Sequence, residues 1–228
     1  MTNQLPSGAA RARRVLIAPS IIAADFCRIG EEITAVAHAG ADWIHLDIMD
    51  GHFVPNLTIG RDFIRAVRQT TDLFLDAHLM IDNPLDYLKT YAEAGADLLV
   101  VHIETVERPL EVIRTIHGLG LKAGIVVNPE TPLDIPQEVF SELDVFLVMS
   151  VHPGFYGQKF IPDVLPKVEQ ARAVIDRHGF TTLVQIDGGI TPETAPLAIR
   201  AGADVLVAGA AVFKSEDYGA AIAALRGR

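Results

Sequence analysis

Along residues 43–49, WIHLDIM, the side chains of an extended strand divide between two faces. Ile44, Leu46 and Ile48 lie on one; Trp43, His45, Asp47 and Met49 lie on the other. The first face suits packing against helices. The second carries an imidazole and a carboxylate, groups that are costly to bury unless something compensates them. Further apolar runs begin near residues 16, 73, 98, 122, 144, 182 and 204, which makes eight predicted strands in all. Most are apolar on both faces, as parallel strands covered on both sides are. Between them lie amphipathic stretches at 59–69, 84–94, 107–118, 162–178 and 192–201. Pro84, Pro162 and Pro192 stand where a first helical turn favours proline.

The tetrapeptide Ala-Gly-Ala-Asp occurs at 39–42, 94–97 and 201–204, each time after a helix-like stretch and before an apolar strand. Its glycine can end the helix in a left-handed conformation and turn the chain into the next strand. HGLGLKAGIVV (117–127) and HGFTTLVQI (178–186) serve as looser versions of the same joint. Repeated βα units in this number predict a single-domain α/β fold, a (β/α)8 TIM barrel over residues 15–228, with residues 1–14 as a flexible N-terminal arm. The competing architecture, a doubly wound open sheet, lacks a G-x-G-x-x-G fingerprint after the first strand. Arg11, Arg13 and Arg14 ahead of VLIAPSIIAAD imitate a secretory signal, but Pro19 interrupts the apolar run, and the first strand of the pattern needs that segment.

Composition changes the picture in two respects. A formal net charge of −10 over 228 residues argues against nucleic acid or an anionic membrane as partner. It leaves open a phosphorylated small molecule held by backbone N–H groups. The single cysteine, Cys27, allows no intrachain disulfide, so a cytoplasmic location is expected.

In barrels of this kind chemistry sits at the C-terminal ends of the strands. That rule selects Ser20, then His45, Asp47 and Met49, then His78 and Met80, then Met149 and Ser150, Asp187, and Gly209 with Ala210. Two imidazoles and two carboxylates from different strands, His45, Asp47, His78 and Asp187, make a set of ligands for one divalent cation, with Zn, Fe, Mn and Co all compatible with nitrogen and oxygen donors. The bland alternative is a group of satisfied core histidines. Glycine-rich loops follow the late strands: HPGFYGQKF at 152–160, then Gly188 and Gly189, then Gly209. Such loops let backbone N–H groups cradle a phosphate. Met49, Met80 and Met149 fall on the same rim, as a hydrophobic wall against water or as ordinary filler. His102 ends the fourth strand with no partner assigned, and His38, His117 and His178 lie at the opposite, structural end.

A cation, a phosphate cradle and no nicotinamide fingerprint point to a phosphorylated carbonyl compound. A cation can stabilise the negative charge that appears when the carbon beside a carbonyl loses its proton. Two carboxylates on opposite faces, Asp47 and Asp187, can remove that proton on one side and deliver one on the other, which inverts the carbon. Their pKa values must then be pushed apart.

The sequence resembles the ribulose-phosphate 3-epimerase family through IAPSIIAADF (17–26), HLDIMDGHFVPNLTIG (45–60), AHLMI (77–81), AGIVVNPETPL (123–133), LVMSVHPGFYGQKFIP (147–162), IDGGI (186–190) and AGADVLVAGAAVF (201–213). The resemblance implies a ribulose-phosphate-binding barrel and the interconversion of D-ribulose 5-phosphate and D-xylulose 5-phosphate through a cis-enediolate, a step of the pentose phosphate pathway. It implies His45, Asp47, His78 and Asp187 as metal ligands, with both aspartates as acid and base. Substrate contacts would come from Ser20, His78, Gly154, Phe155, Tyr156, Gly157, Gly188, Gly189, Gly209 and Ala210, and the protein would form a homo-oligomer. Tyr156 stands where the family's phosphate loop usually has glycine, Ala210 where serine is usual, and His152 where another polar residue is typical. These departures touch substrate handling, so D-allulose 6-phosphate is the alternative substrate. The D-x-K-x-x-D pattern of orotidine-phosphate decarboxylases and hexulose-phosphate synthases is broken by His78 and Ile81 in DAHLMID. A sugar-phosphate binder without catalysis is the other alternative.

Overall fold

Each apolar run becomes a strand close to its expected start. β1 is Leu16–Pro19, β2 Trp43–Met49, β3 Phe74–Met80, β4 Leu98–His102, β5 Lys122–Val127, β6 Val145–Met149, β7 Leu183–Asp187 and β8 Val205–Ala208. The computed structural model describes residues 14–227, so the expected N-terminal arm lies outside the described residues except for Arg14. All neighbouring strands pair in parallel, in the order β1-β8-β7-β6-β5-β4-β3-β2. A parallel bridge between Ser20 and His45 and a hydrogen bond from Asp42 N to Ile17 O join β1 to β2 and bring the ends of the sheet together. This is the predicted barrel.

The helices are α1 Ile29–His38, α2 Arg61–Thr70, α3 Leu88–Ala94, α4 Pro109–Gly118, α5 Gln137–Glu142, α6 Leu165–His178, α7 Ala195–Ala201, α8 Ala210–Phe213 and α9 Tyr218–Leu225. Three of the expected helices begin differently. Pro84 and Pro162 open 3-10 turns, Pro84–Asp86 and Pro162–Val164, ahead of α3 and α6. Pro192 lies in the turn before α7. Tighter i→i+3 turns are common at helix starts, where the missing proline N–H costs nothing. Strand alternation separates two cores. Ile44, Leu46 and Ile48 join Leu75, Leu79 and the helix residues Ile64, Ile113 and Val168 in one cluster. Leu98, Val100, Val145, Leu147, Val205 and Val207 fill the barrel bore with Trp43 and Phe74 in another.

At the N-terminal face the aspartates of the three Ala-Gly-Ala-Asp joints, and Asp144 in Ser-Glu-Leu-Asp, do more than lead into a strand. Asp42, Asp97, Asp144 and Asp204 each precede an even-numbered strand, and each accepts a hydrogen bond from the backbone of the preceding odd-numbered strand: Ile17 N at 2.8 Å, Leu75 N at 2.8 Å, Ala123 N at 2.9 Å and Val184 N at 2.9 Å. Each carboxylate also meets a cation, from Arg14 and Arg226, Arg68, Lys122, and Arg172 respectively. Glycine makes room for two of these arginines. Gly95 and Gly202 cap α3 and α7 at φ of 106° and 111°, and a Cβ there would lie 2.6 Å from the Cγ of Arg68 or Arg172. The carboxylates therefore staple the barrel in odd–even strand pairs. Asp204→Ala strips the acceptor from Val184 N–H and the partner from Arg172, and should cost about 2–4 kcal/mol in urea unfolding. Exposed Asp72→Ala should stay within about 0.5 kcal/mol. Equal effects at the two positions would contradict the staple.

Candidate active site

The register of β2 and β3 sets the site. Asp47 pairs with His78 and His45 with Asp76 across the two strands, and β7 delivers Asp187 next to Met149 of β6. Because side chains alternate, His45, Asp47, His78 and Asp187 all enter the C-terminal end of the bore, where one ligand atom from each lies within 4.8 Å of all the others. His45 Nε2 is 3.3 Å from Asp47 Oδ1 and 3.6 Å from Asp187 Oδ2; His78 Nδ1 is 3.5 and 3.9 Å from the same two oxygens. Neither of these nitrogens, both deeply buried, has a hydrogen-bond partner. Ligand atoms sharing one cation with bonds of about 2.0–2.1 Å stand about 3.3 Å apart in a tetrahedron. The donor set and its unpartnered nitrogens therefore fit a divalent cation, as the sequence suggested.

Residues outside the quartet hold it in place. Asp76, fully buried, lies 2.7 Å from His45 Nδ1 and accepts a hydrogen bond from Gln185 Nε2 at 2.5 Å. This fixes the imidazole so that Nε2 faces the cluster. Ser20 Oγ donates to Asp47 Oδ2 at 2.5 Å. Thr58 Oγ1, in the loop after β2, donates to Asp47 O at 2.6 Å. Ser150 Oγ donates to the carbonyls of Asp187 and Gly188 at 2.9 and 2.7 Å. Asp76, Gln185 and Thr58 escaped the sequence reading because they do not lie at strand ends. The period-two spacing Asp76, His78, Met80 was the signal that could have exposed Asp76.

Burial works to raise both carboxyls of the quartet, and their charged neighbours split them. Asp187 is pushed up to about 7 by burial, reinforced by the negative charges of Asp47 and Asp76 and opposed by His45. Burial also works to raise Asp47, but His45 and His78 outweigh it and hold Asp47 well below the usual carboxylate range. In His45, burial favours the neutral ring, while Asp76 and Asp47 prevail and raise its pKa. Without a cation, Asp187 holds a proton far more readily than Asp47.

A cavity opens above the quartet. Its wall includes Ser20, Asp47 and Asp187, the three methionines Met49, Met80 and Met149, the loop residues Gly154, Phe155, Tyr156 and Gly157, and Gly188, Gly189, Gly209 and Ala210. Every residue predicted to contact substrate is there except His78, which is fully buried and stands among the ligand groups instead of in the cavity wall. Asn56 Nδ2 donates to Gly154 O at 2.7 Å, tying the loop after β6 to the loop after β2. Gly189, at φ 62°, has a second reason to be glycine: a Cβ would lie 2.4 Å from Phe160 N. His152 pairs with Glu130 at 3.0 Å on the exposed rim.

A sequence model described as the Ribulose-phosphate 3 epimerase family matches residues 16–213. The chain belongs to the ribulose-phosphate 3-epimerase family. Over 214 residues it is 50% identical to the ribulose-phosphate 3-epimerase of Bacillus subtilis, covering 93% of this chain and 99% of that one. It is 52% identical over 211 residues to that of Mycobacterium tuberculosis, covering 92% of this chain and 91% of the other. It is 44% identical over 215 residues to the chloroplastic ribulose-5-phosphate-3-epimerase of Arabidopsis thaliana, covering 93% and 76%. Among solved structures, a 3-hexulose-6-phosphate synthase matches with a TM-score of 0.62 at 21% identity, covering 94% of this chain and 98% of that one. An orotidine 5'-phosphate decarboxylase from Pyrococcus horikoshii matches at 0.63 and 18%, covering 92% and 97%. These last two share the barrel; their likeness extends to the fold alone.

Within the epimerase family's matched span lie all four candidate ligands. Chelator-stripped protein should therefore take up about one equivalent of Co2+ or Zn2+ per chain. At a hundredfold excess over Kd the bound cation should add about 2.7 kcal/mol of stability, read as a raised Tm. Folded His45→Ala and His78→Ala should lose the uptake. Wild-type protein with no bound cation and an unmoved Tm would contradict the fit.

Proposed function

We propose that the chain inverts C3 of a ketose phosphate, interconverting D-ribulose 5-phosphate and D-xylulose 5-phosphate, with Asp47 and Asp187 as the acid–base pair. The observation that carries this reading is the meeting of two carboxyls from different strands, Asp47 of β2 and Asp187 of β7, at one buried cluster with two imidazoles. One carboxylate takes the C3 proton and the other carboxylic acid gives a proton to the opposite face; reversing the reaction exchanges the roles. Ser20 steadies Asp47 through its hydroxyl, and Ser150 steadies the backbone of Asp187. A divalent cation held by His45, Asp47, His78 and Asp187, whether Zn, Fe, Mn or Co, would supply positive charge beside the oxygens that become an enediolate.

The remaining cavity residues divide between two tasks. The backbone of Gly154 to Gly157, of Gly188 and Gly189, and of Gly209 and Ala210 suits the phosphate, because glycine lets N–H groups approach an anion closely. Met49, Met80 and Met149 form an apolar wall at the carboxylates and shield the intermediate from water. The relatives at about half identity favour the pentulose. Tyr156 and Ala210, both in the cavity wall, are the observation that favours D-allulose 6-phosphate as a second reading. No helix among the described residues is long and apolar enough to cross a membrane. The proposal includes a cytoplasmic enzyme of net charge −10 that binds a small sugar phosphate and no nucleic acid. It also includes a homo-oligomer, supported by exposed Leu57, Leu85 and Tyr87 on the loops after β2 and β3.

Incubation in D2O tests the reaction. Ribulose 5-phosphate should epimerise with deuterium entering C3, and Asp47→Asn and Asp187→Asn should each lower kcat by about 10^2–10^4-fold while keeping sugar-phosphate affinity. Full turnover in either variant would defeat the two-carboxyl pair, and affinity without turnover in the wild type would indicate a binder. Parallel assays with allulose 6-phosphate should give the lower kcat/KM; the reverse order would assign the hexulose.

A further inference from the structure

His78 is held by a different kind of partner from His45. Its Nδ1 faces Asp47 and Asp187, and its Nε2 lies 2.9 Å from Nε2 of His102 at the end of β4. The two ring centroids are 5.0 Å apart with planes within 25°, so the imidazoles meet edge to edge, with the nitrogens in line for one hydrogen bond. Both rings are fully buried. His102 Nδ1 lies 3.1 Å from Glu104 Oε2, and the other oxygen of Glu104 accepts from Asn128 N at 2.8 Å and from the Thr131 hydroxyl. The carboxylate is thus pinned by the loop after β5. Phe53, from the loop after β2, packs on the His102 ring with centroids 4.6 Å apart.

Donor and acceptor roles follow from one end of this row. An ionised carboxylate only accepts, so His102 Nδ1 carries the hydrogen and, in the neutral ring, its Nε2 is bare. His78 Nε2 must then be the donor, and His78 Nδ1 the bare nitrogen. That is the atom without a hydrogen-bond partner at the cation cluster. We propose that His102 and Glu104 are positioning residues that fix His78 as its Nε2–H tautomer and so present Nδ1 to the divalent cation. Histidines that bind metals depend on such a bond at the second nitrogen for orientation and tautomer. The two imidazoles of the quartet therefore offer opposite nitrogens, Nε2 from His45 under Asp76 and Nδ1 from His78 under His102. His102, which had no role by sequence, gains one because β3 and β4 are neighbours in the barrel. The inference rests on the cation site proposed above.

Two measurements on the full chain test it. Long-range 15N–1H spectra of the metal-free protein should show His78 as the Nε2–H tautomer. Cobalt titration of chelator-stripped protein should show His102→Phe weakened by about 10–100-fold. His102→Gln, whose amide oxygen can accept from His78, should keep most of the affinity. An Nδ1–H tautomer at His78, a folded His102→Phe with wild-type cobalt affinity, or equal losses in the two variants would overturn the relay. Should His102→Phe fail to fold, the wild-type tautomer decides. Absence of cobalt binding by the wild type would instead overturn the cation site, and the relay with it.

Discussion

Two unpartnered imidazole nitrogens and two carboxyls meet at 3.3–3.9 Å in the bore of the barrel, too far apart for good hydrogen bonds and too close to be independent. Burying such a group costs several kcal/mol per ion unless an opposite charge compensates it. A divalent cation would supply that compensation, and much of the surrounding structure serves to keep the quartet in place. Asp76 and Gln185 lie beneath His45, Ser20 and Thr58 hold Asp47, and Ser150 holds the end of β7. A conflict of charges that would destabilise an ordinary core becomes the feature the fold is arranged around.

The barrel separates this site from the work of staying folded. At the N-terminal face, Asp42, Asp97, Asp144 and Asp204 tie strands together through backbone N–H groups and cations. At the C-terminal face, the same alternation of strands delivers the quartet and the cavity. Loops can vary there without touching the staples, so Tyr156 and Ala210 can alter the cavity wall while the quartet stays intact.

Much of this was legible in the chain because its signals are local. Parallel strands covered on both sides leave continuous apolar runs, and glycine joints mark the starts of five of them, so all eight strands could be placed. The quartet was legible because imidazoles and carboxylates at strand ends are out of place unless they have a task. What stayed hidden depends on register or on the middle of the bore. Asp76 and Gln185 lie mid-strand, where a rule about strand ends does not look. The pairing of His102 with His78 requires knowing which residues of β3 and β4 lie side by side. The aspartate of Ala-Gly-Ala-Asp was overshadowed by its glycine, since its acceptor role appears only when the preceding strand is in place. Helix α5, six residues long, is too short for a helical period to show.

The central claim is geometric: one cation between His45, Asp47, His78 and Asp187, with the two carboxyls on opposite faces of the reacting carbon. A crystal structure with a bound enediolate analogue, with anomalous data collected at the metal's absorption edge, tests it most directly. The account predicts a single anomalous peak within bonding distance of His45 Nε2, His78 Nδ1 and an oxygen of each aspartate, and the plane of the analogue passing between Asp47 and Asp187. A peak elsewhere in the barrel, or both carboxyls on one face of the analogue, would contradict it.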